Sequence, residues 1–171
     1  MGKGYPRGSR NAQKDMAGIA RALVLPINAK VATITGASGV GWGTVVIGDI
    51  PEGNILLLGA VLNCVLTKSG SDIQATFDGD ISIGAAPTAD ATLNGAEVNI
   101  IPSTSNGGAA TAGVSPAIRG TNATAVVLDN TDGSLELNAN VLVDDANVSG
   151  DTGTISITGT LFLAYIKLGD D

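Results

Sequence analysis

Aspartates at predicted turns are the residues of this sequence that could carry acid–base chemistry. Two carboxylates that face one substrate can act as general acid and base, as in glycoside hydrolysis. The candidates are Asp78, Asp80, Asp144, Asp145 and Asp151. Each falls at a predicted turn, where aspartate is common because its side chain bonds to the turn backbone. Sugar-cleaving sites also use aromatic stacking surfaces, and aromatic residues make up only 3% of this chain.

The other usual catalytic groups are missing or unsupported. The sequence has no histidine, which removes Ser-His-Asp triads, Cys-His pairs and histidine-ligated zinc. Cys64 is the single cysteine, so an intramolecular disulfide is impossible. It lies in the apolar stretch "LLLGAVLNCVL" with no base to activate it, which favours a small buried hydrophobe over a reactive thiol. We therefore predict no enzymatic activity, no catalytic residue and no cofactor.

Two short acidic stretches resemble calcium loops, "DNTDG" at 129–133 and "DGD" at 78–80. The first lacks the alternating ligand positions of an EF-hand and its glutamate at the twelfth place. Asp132-Gly133 and Asp78-Gly79 also match the two-residue signal of a β-hairpin turn, which needs no metal. We expect turns at both places and no metal site, with a bound calcium ion as the alternative.

Charge divides the chain into a basic start and an acidic remainder. Residues 1–30 carry six basic side chains against Asp15, a net charge of +5, whereas residues 31–171 carry −12. We interpret residues 1–30 as an anchoring arm, glycine-rich at its start, with at most a short helix capped by Asn11. An acidic body repels nucleic acid and anionic lipid. The arm could contact phosphates, but we favour an acidic protein surface as its partner and predict no nucleic-acid partner.

The apolar segment "AGIARALVLPINAKVA" is a poor candidate for a signal peptide. Arg21 interrupts it and Pro26 stops it. No stretch of the sequence reaches the ~20 apolar residues of a membrane-spanning helix. We therefore expect no membrane partner and no export by that route.

From Val31 onward the sequence alternates with the period of two that is typical of strands. Eight to ten short strands in residues 31–171 predict an all-β antiparallel sandwich of the jelly-roll kind. The clearest strand is Leu135–Val143, whose leucines, alanine and valines alternate with Glu136, Asn138 and Asn140. This pattern predicts a half-buried strand with the polar side chains in water.

Two stretches, "ILLLGAVL" and "LFLAYI", are apolar on both faces. A strand of an antiparallel sheet that is apolar on both faces needs a second cover. We expect another subunit to provide it, because burying a large aliphatic side chain is worth roughly 1.5–3 kcal/mol. The alternatives are a central position between both layers and a place under the long loop that begins at "STSNGG".

Three segments resemble small structural proteins of tailed bacteriophages, especially marine and cyanobacterial ones. They are "SIGAAPTADATLNGAEVNIIPSTS", "LNANVLVDDANVSG" and "TISITGTLFLAYIKLGD", and the similarity extends over roughly residues 70–170. These proteins are capsid decoration (cement) or head-surface proteins. The resemblance implies a jelly-roll-like domain, commonly a homotrimer, on the outer surface of the virion at junctions between major capsid subunits. It also implies synthesis in the host cytoplasm, and no catalytic residues carry over.

The expected function is therefore to stabilise a phage capsid by clamping neighbouring subunits of the major capsid protein. The alternative is a β-sandwich binding module of a tail, an adhesin or a receptor- or carbohydrate-binding domain, which would need exposed aromatics or a calcium–carbohydrate site. We expect the arm and the two-sided strands to make the contacts with the capsid and with sister subunits. The predicted contact residues are Lys3, Tyr5, Arg7, Arg10, Lys14, Arg21, Leu57, Val61, Phe162 and Tyr165.

Overall fold

The computed structural model describes residues 20–36, 39–70, 72–108, 113–144 and 153–169. These residues form nine strands and one 3₁₀ turn, Gly95–Glu97. The strands are β1 (Arg21–Ile34), β2 (Gly41–Asp49), β3 (Gly53–Ser69), β4 (Asp78–Gly84), β5 (Ile101–Ser105), β6 (Ile118–Asn122), β7 (Val126–Asn130), β8 (Glu136–Asp144) and β9 (Gly153–Gly169).

The strands pair as nested antiparallel partners. β1 pairs with β9, β2 with β8, β3 with both β6 and β7, and β4 with β5. Successive pairs alternate between two sheets, so that sheet A has the order β1-β9-β3-β6, with β7 also on β3, and sheet B the order β2-β8-β4-β5. This nesting is the topology of a jelly roll, a long folded hairpin wrapped into two layers. The predicted all-β sandwich is confirmed.

The core lies between the two sheets and is built from alternate residues of each strand. Sheet A contributes side chains such as Leu62 and Leu161, and sheet B contributes Ile81, Ile83 and Val141, all fully buried. Nearly all of the described core is aliphatic, and its aromatic members are Phe77 and Tyr165. Thin aliphatic layers of this kind follow from the low aromatic content of the sequence.

β1 begins at Arg21 rather than at Val31, where the sequence pattern placed the first strand. Residues 21–27 pair with β9 from Tyr165 to Gly159, and a bulge then separates Ile27 from Lys30. Part of the predicted arm is therefore a strand of sheet A. Residues 1–19 lie outside the described residues, so the arm's anchoring role stays a prediction.

Three local predictions are wrong for reasons of pairing. Asp78-Gly79 opens β4 instead of forming a hairpin turn, because β4 pairs with β8 from Asp78 onward and Gly79 takes its positive φ inside the strand. The stretch "AEVNIIP", in which the alternation of Ala96, Val98 and Ile100 predicts a strand, instead overlaps the 3₁₀ turn, and β5 begins only at Ile101. The turn at Asp132-Gly133 joins β7 of sheet A to β8 of sheet B, so it is no hairpin.

Candidate assembly surface

The carboxylates predicted as possible catalysts lie along the β4–β8 pair. Asp78 and Asp144 are exposed and stand opposite each other in the register of these strands. Asp80 accepts a hydrogen bond from the Ser103 hydroxyl at 2.8 Å. Asp145 and Asp151 lie outside the described residues. Within the described residues, no three histidine, cysteine, aspartate or glutamate side chains form a group that could hold a metal ion.

Cys64 packs in the core from the inner face of β3, where it is 4% exposed. Burial raises the pKa of its thiol to about 12, because the thiolate would lose its hydration. The thiol is therefore protonated at neutral pH, which agrees with its predicted role as a small hydrophobe.

The acidic turn "DNTDG" satisfies its own carboxylates. Asp129 accepts hydrogen bonds from the amide and hydroxyl of Thr131, and Asp132 accepts them from the amide and hydroxyl of Ser134. The bonds from Ser134 lower the pKa of Asp132. Buried Asn130 donates to the carbonyl of Ile50 at 2.7 Å and so ties this turn to the end of β2. The turn thus has a structural role that requires no ligand.

The β4 and β8 part of the outer face of sheet B is covered by a loop of the same chain, residues 85–100, whereas Val46 on β2 is 36% exposed. Asn140, fully buried on the outer side of β8, holds this loop with three hydrogen bonds. Its carbonyl oxygen accepts from the Thr88 amide at 2.9 Å, and its Nδ2 donates to the carbonyls of Ala86 and Glu97, both at 3.0 Å. The Ser82 hydroxyl also donates to the Glu97 carbonyl, at 2.8 Å.

β8 is therefore buried on both faces, and the prediction of a half-buried strand is wrong. Asn138 and Asn140 point away from the core as the alternation requires, but they are only 3% and 0% exposed. The loop rather than water satisfies Asn140. Close contact also explains Gly84, where a Cβ atom would collide with the backbone of Ala96 and Glu97.

The outer face of sheet A is divided along its strands into a polar and an apolar half. In the polar half, β9 presents Thr154, Ser156 and Thr158, beside Thr67 and Ser69 of β3. Two valines interrupt this half: Val65 stands opposite Thr158, and Val31, which is 52% exposed, stands opposite Ser156. In the apolar half, Val24, Phe162 and Val61 stand side by side on β1, β9 and β3. The apolar row next to the end of the sheet joins Ile166, Leu56 and Val127. The two-sided stretches of the sequence thus adjoin on one face.

We call this apolar half the outer apolar patch. Its members are Ala22, Val24, Leu56, Leu58, Val61, Val127, Phe162, Ala164 and Ile166. Four of these residues are largely exposed: Val127 (61%), Val24 (55%), Phe162 (42%) and Leu58 (37%). Isolated exposed apolar residues are common on protein surfaces, but a contiguous patch marks an interaction site. No described residue covers this patch, whereas the loop covers β4 and β8 of the opposite sheet.

The predicted contact residues fall into three groups. Val61 and Phe162 belong to the outer apolar patch, and Arg21 is exposed at the start of β1. Leu57 and Tyr165 are 1% and 9% exposed and face the core, because alternation along β3 and β9 turns them inward, so they leave the predicted contact set. The remaining predicted residues lie outside the described part of the chain: Lys3, Tyr5, Arg7, Arg10 and Lys14.

Sequence reasoning identified the strands of the patch but not all of its residues. It missed Val24 because β1 was predicted to begin later, and it missed Val127 because β7 is short. Residues 22–27 are all apolar and show no period of two, so the signal that could have found Val24 is the short apolar run itself, which is consistent with a strand covered on both faces.

In the described parts of the chain, no helix has the length and apolar character needed to cross a membrane. No protein-family model matches the sequence. No curated protein matches it either.

Three of the solved structures that match this chain belong to virus particles. A chain of the cyanophage Pam1 capsid asymmetric unit is 17% identical, with a TM-score of 0.38 and 86% of each chain covered. The VP2 subviral particle of infectious bursal disease virus gives 15% identity, a TM-score of 0.36 and coverage of 85% of this chain and 32% of that one. The acid-stable capsid of Helicobacter pylori bacteriophage KHP30 gives 13% identity, a TM-score of 0.24 and coverage of 86% of this chain and 93% of that one. At these TM-scores the similarities carry no argument about function.

Proposed function

We propose that the protein is a non-enzymatic structural component of a virion that binds the outer surface of a phage capsid and clamps neighbouring subunits of the major capsid protein. It would act there as a homo-oligomer, a trimer in the form that the sequence resemblance implies. The outer apolar patch is the surface that we assign to assembly, with Phe162 at its centre.

One observation carries this proposal: the outer faces of the two sheets differ in how much of their surface the chain itself covers. The chain uses residues 85–100 to cover β4 and β8 of sheet B, where even the polar Asn140 is fully buried. On sheet A it leaves Val24, Val127 and Phe162 roughly half exposed. Leaving such a face in water is unfavourable by about 25 cal/mol for each Å² of apolar surface, so association that covers it is favoured. A protein whose only task was catalysis in a pocket would gain nothing from such a face.

The β1 edge of sheet A supports association through this face rather than through strand addition at that edge. β1, the edge strand of sheet A, contains Pro26, which lacks an amide hydrogen, and a bulge between Ile27 and Lys30. Proline, lysine and bulges on an edge strand oppose pairing with a further strand. The outer apolar patch has no comparable protection.

The experiment compares Phe162→Arg with Thr158→Arg in binding to phage particles. Both positions lie on the outer face of β9, one in the apolar half and one in the polar half. Particles of a phage that encodes this chain, prepared without it, are mixed with each purified variant and pelleted. We expect Phe162→Arg to bind at least about tenfold more weakly, since losing the burial of one phenylalanine costs roughly 1.5–3 kcal/mol. Thr158→Arg should bind like the intact protein.

Circular dichroism and thermal melting of both variants check that the sandwich is folded. Binding of folded Phe162→Arg as tight as that of the intact protein would contradict the assignment of the patch. Loss of binding in both variants would also contradict it, because the polar half would then be part of the interface.

A further inference from the structure

Two asparagines of the sequence directly precede a glycine, in Asn94-Gly95 and Asn106-Gly107. The side chain of an asparagine can react with the backbone nitrogen of the next residue, and a glycine there has no side chain to hinder the approach. In an unfolded chain the two pairs should therefore react at similar rates. In the native protein the fold decides which of them can react.

The reaction is an intramolecular deamidation, which is favoured when both groups can meet within one chain. The backbone nitrogen of the glycine attacks the side-chain carbonyl carbon Cγ of the asparagine and closes a five-membered succinimide ring. The bond from Cγ to Nδ2 breaks, and Nδ2 leaves as ammonia with the proton that the backbone nitrogen has lost. Water then opens the ring at one of its two carbonyls. The product is aspartate or, when the main-chain bond opens, isoaspartate, which has one more methylene group in the backbone.

The fold holds Asn106-Gly107 away from this reaction. The Gly107 amide, which would be the nucleophile, donates to the Ser105 hydroxyl at 3.1 Å. Asn106 Oδ1 accepts from the Gly108 amide at 2.9 Å, and the Asn106 amide donates to the Gly79 carbonyl at 2.9 Å. Asn106 is only 1% exposed, so turning its Cγ toward the Gly107 nitrogen would break these bonds in the interior.

Asn94-Gly95 lies exposed at the start of the 3₁₀ turn in the loop 85–100. Gly95 has a φ of +55°, and no described atom lies within 4 Å of the position that a Cβ atom would take there. Two bonds of 3.0 Å close the turn: the Asn94 amide donates to the Glu97 carboxylate, and the Glu97 amide donates to the Asn94 carbonyl. Because Asn94 and Gly95 are exposed, this turn can open by a local fluctuation that leaves the sandwich intact.

The turn lies where the loop rests on β4 and β8. The Glu97 carbonyl accepts hydrogen bonds from the Ser82 hydroxyl at 2.8 Å and from Asn140 Nδ2 at 3.0 Å. The Glu97 backbone also lies so close to Gly84 that a Cβ atom there would collide with it. A methylene group added to the backbone at residue 94 changes the path of this turn. The new carboxylate at residue 94 also repels the nearby carboxylate of Glu97.

We propose that Asn94 is a site of spontaneous deamidation in the folded protein, that Asn106 is protected from it, and that conversion of Asn94 loosens the loop 85–100 from sheet B. The loop thus has a slow chemical switch at its exposed turn. This inference concerns the isolated chain and does not rest on the proposed capsid role.

The first test incubates the native protein in mildly alkaline buffer and follows each asparagine by peptide mapping and mass spectrometry. Deamidation replaces an amide with an acid, which raises the mass of the peptide, and chromatography separates isoaspartate from aspartate peptides. We expect Asn94 to be converted several-fold faster than Asn106. Equal rates at the two sites, faster conversion of Asn106, or no conversion of Asn94 would overturn the proposal.

Incubation in urea separates the effect of the fold from that of the neighbouring residues. Both pairs are then in an unfolded chain, and we expect the two rates to become similar. If the ratio of the rates in urea equals that in the native protein, the local sequence sets the difference and the proposal is overturned.

Hydrogen exchange tests the effect on the loop. The intact protein is aged until Asn94 is largely converted, and Asn94→Gln, whose longer side chain cannot close a five-membered ring, is aged in parallel. The amide of Thr88, which donates to Asn140 Oδ1, should exchange several-fold faster in the aged intact protein than in the fresh one. In Asn94→Gln it should exchange equally before and after ageing. Unchanged exchange in the converted protein, or an equal acceleration in aged Asn94→Gln, would overturn the proposal.

Discussion

Replacing Asn140 with alanine should detach the loop 85–100 from sheet B and destabilise the sandwich. The Asn140 side chain is fully buried and makes three hydrogen bonds of 2.9–3.0 Å to the loop backbone. Each buried hydrogen bond contributes about 1 kcal/mol net, and a buried partner left unpaired costs about 1–3 kcal/mol. Because the loop can move toward water, we expect a loss of about 2–4 kcal/mol in the free energy of unfolding. The melting temperature should fall by roughly 5–15 °C for a domain of this size.

The assay is urea unfolding followed by circular dichroism, combined with hydrogen exchange of backbone amides. Asn138→Ala is the matched control, because Asn138 lies on the same face of β8 but, among the described residues, its side chain makes one bond, of 3.3 Å, to the nearby Glu136 carbonyl. It should lose no more than about 1 kcal/mol. In Asn140→Ala alone, the Thr88 amide should exchange much faster. Equal losses of stability in the two variants, with the Thr88 amide still protected, would refute this account of the loop.

Three further predictions concern single positions. The Cys64 thiol, with its pKa raised to about 12, should react with iodoacetamide at pH 8 only after unfolding in urea; rapid labelling of the native protein would contradict its burial. Gly84→Ala should lower the melting temperature, because the new methyl group meets the backbone of Ala96, and an unchanged value would mean that the loop lies farther away. The backbone amide of Ser134 is the larger cause of the lowered pKa of Asp132 and the Ser134 hydroxyl the smaller one, so Ser134→Ala, which removes only the hydroxyl, should raise this pKa part of the way toward its ordinary value in an NMR titration. The contribution of this turn to the free energy of unfolding is present above the ordinary aspartate pKa and is lost as the pH falls through the lowered pKa of Asp132. Ser134→Ala should therefore make the free energy of unfolding depend less on pH in the acid range. An Asp132 pKa that is the same in the variant and in the intact protein would contradict this reasoning.

The fold class could be predicted from the sequence because the period of two is a local property. Alternation in residues 135–143 correctly placed Leu137, Ala139 and Val141 in the core and turned Asn138 and Asn140 outward. Their burial could not be predicted, since the loop that covers Asn140 is more than 40 residues away in the sequence. The same limit explains Asp78-Gly79, whose local turn signal is overridden by pairing with β8.

The candidate surface was predicted in part for a similar reason. Two apolar faces in "ILLLGAVL" and "LFLAYI" indicated that β3 and β9 need a cover on both sides. The register that sets Val61 beside Phe162 and Val24 comes from long-range pairing, which no local pattern contains. Without that register, Leu57 and Tyr165 could not be distinguished from their outward-facing neighbours.

The central claim is that the outer apolar patch attaches this protein to a virion, and its composition on purified particles tests it most directly. Virions of a phage that encodes the chain are purified through a density gradient, and the ratio of this chain to the major capsid protein is measured by quantitative mass spectrometry. Our account predicts a fixed ratio across the particle peak that is kept by Thr158→Arg and lost by Phe162→Arg. Absence of the chain from intact particles, or a ratio unaffected by Phe162→Arg, would contradict it.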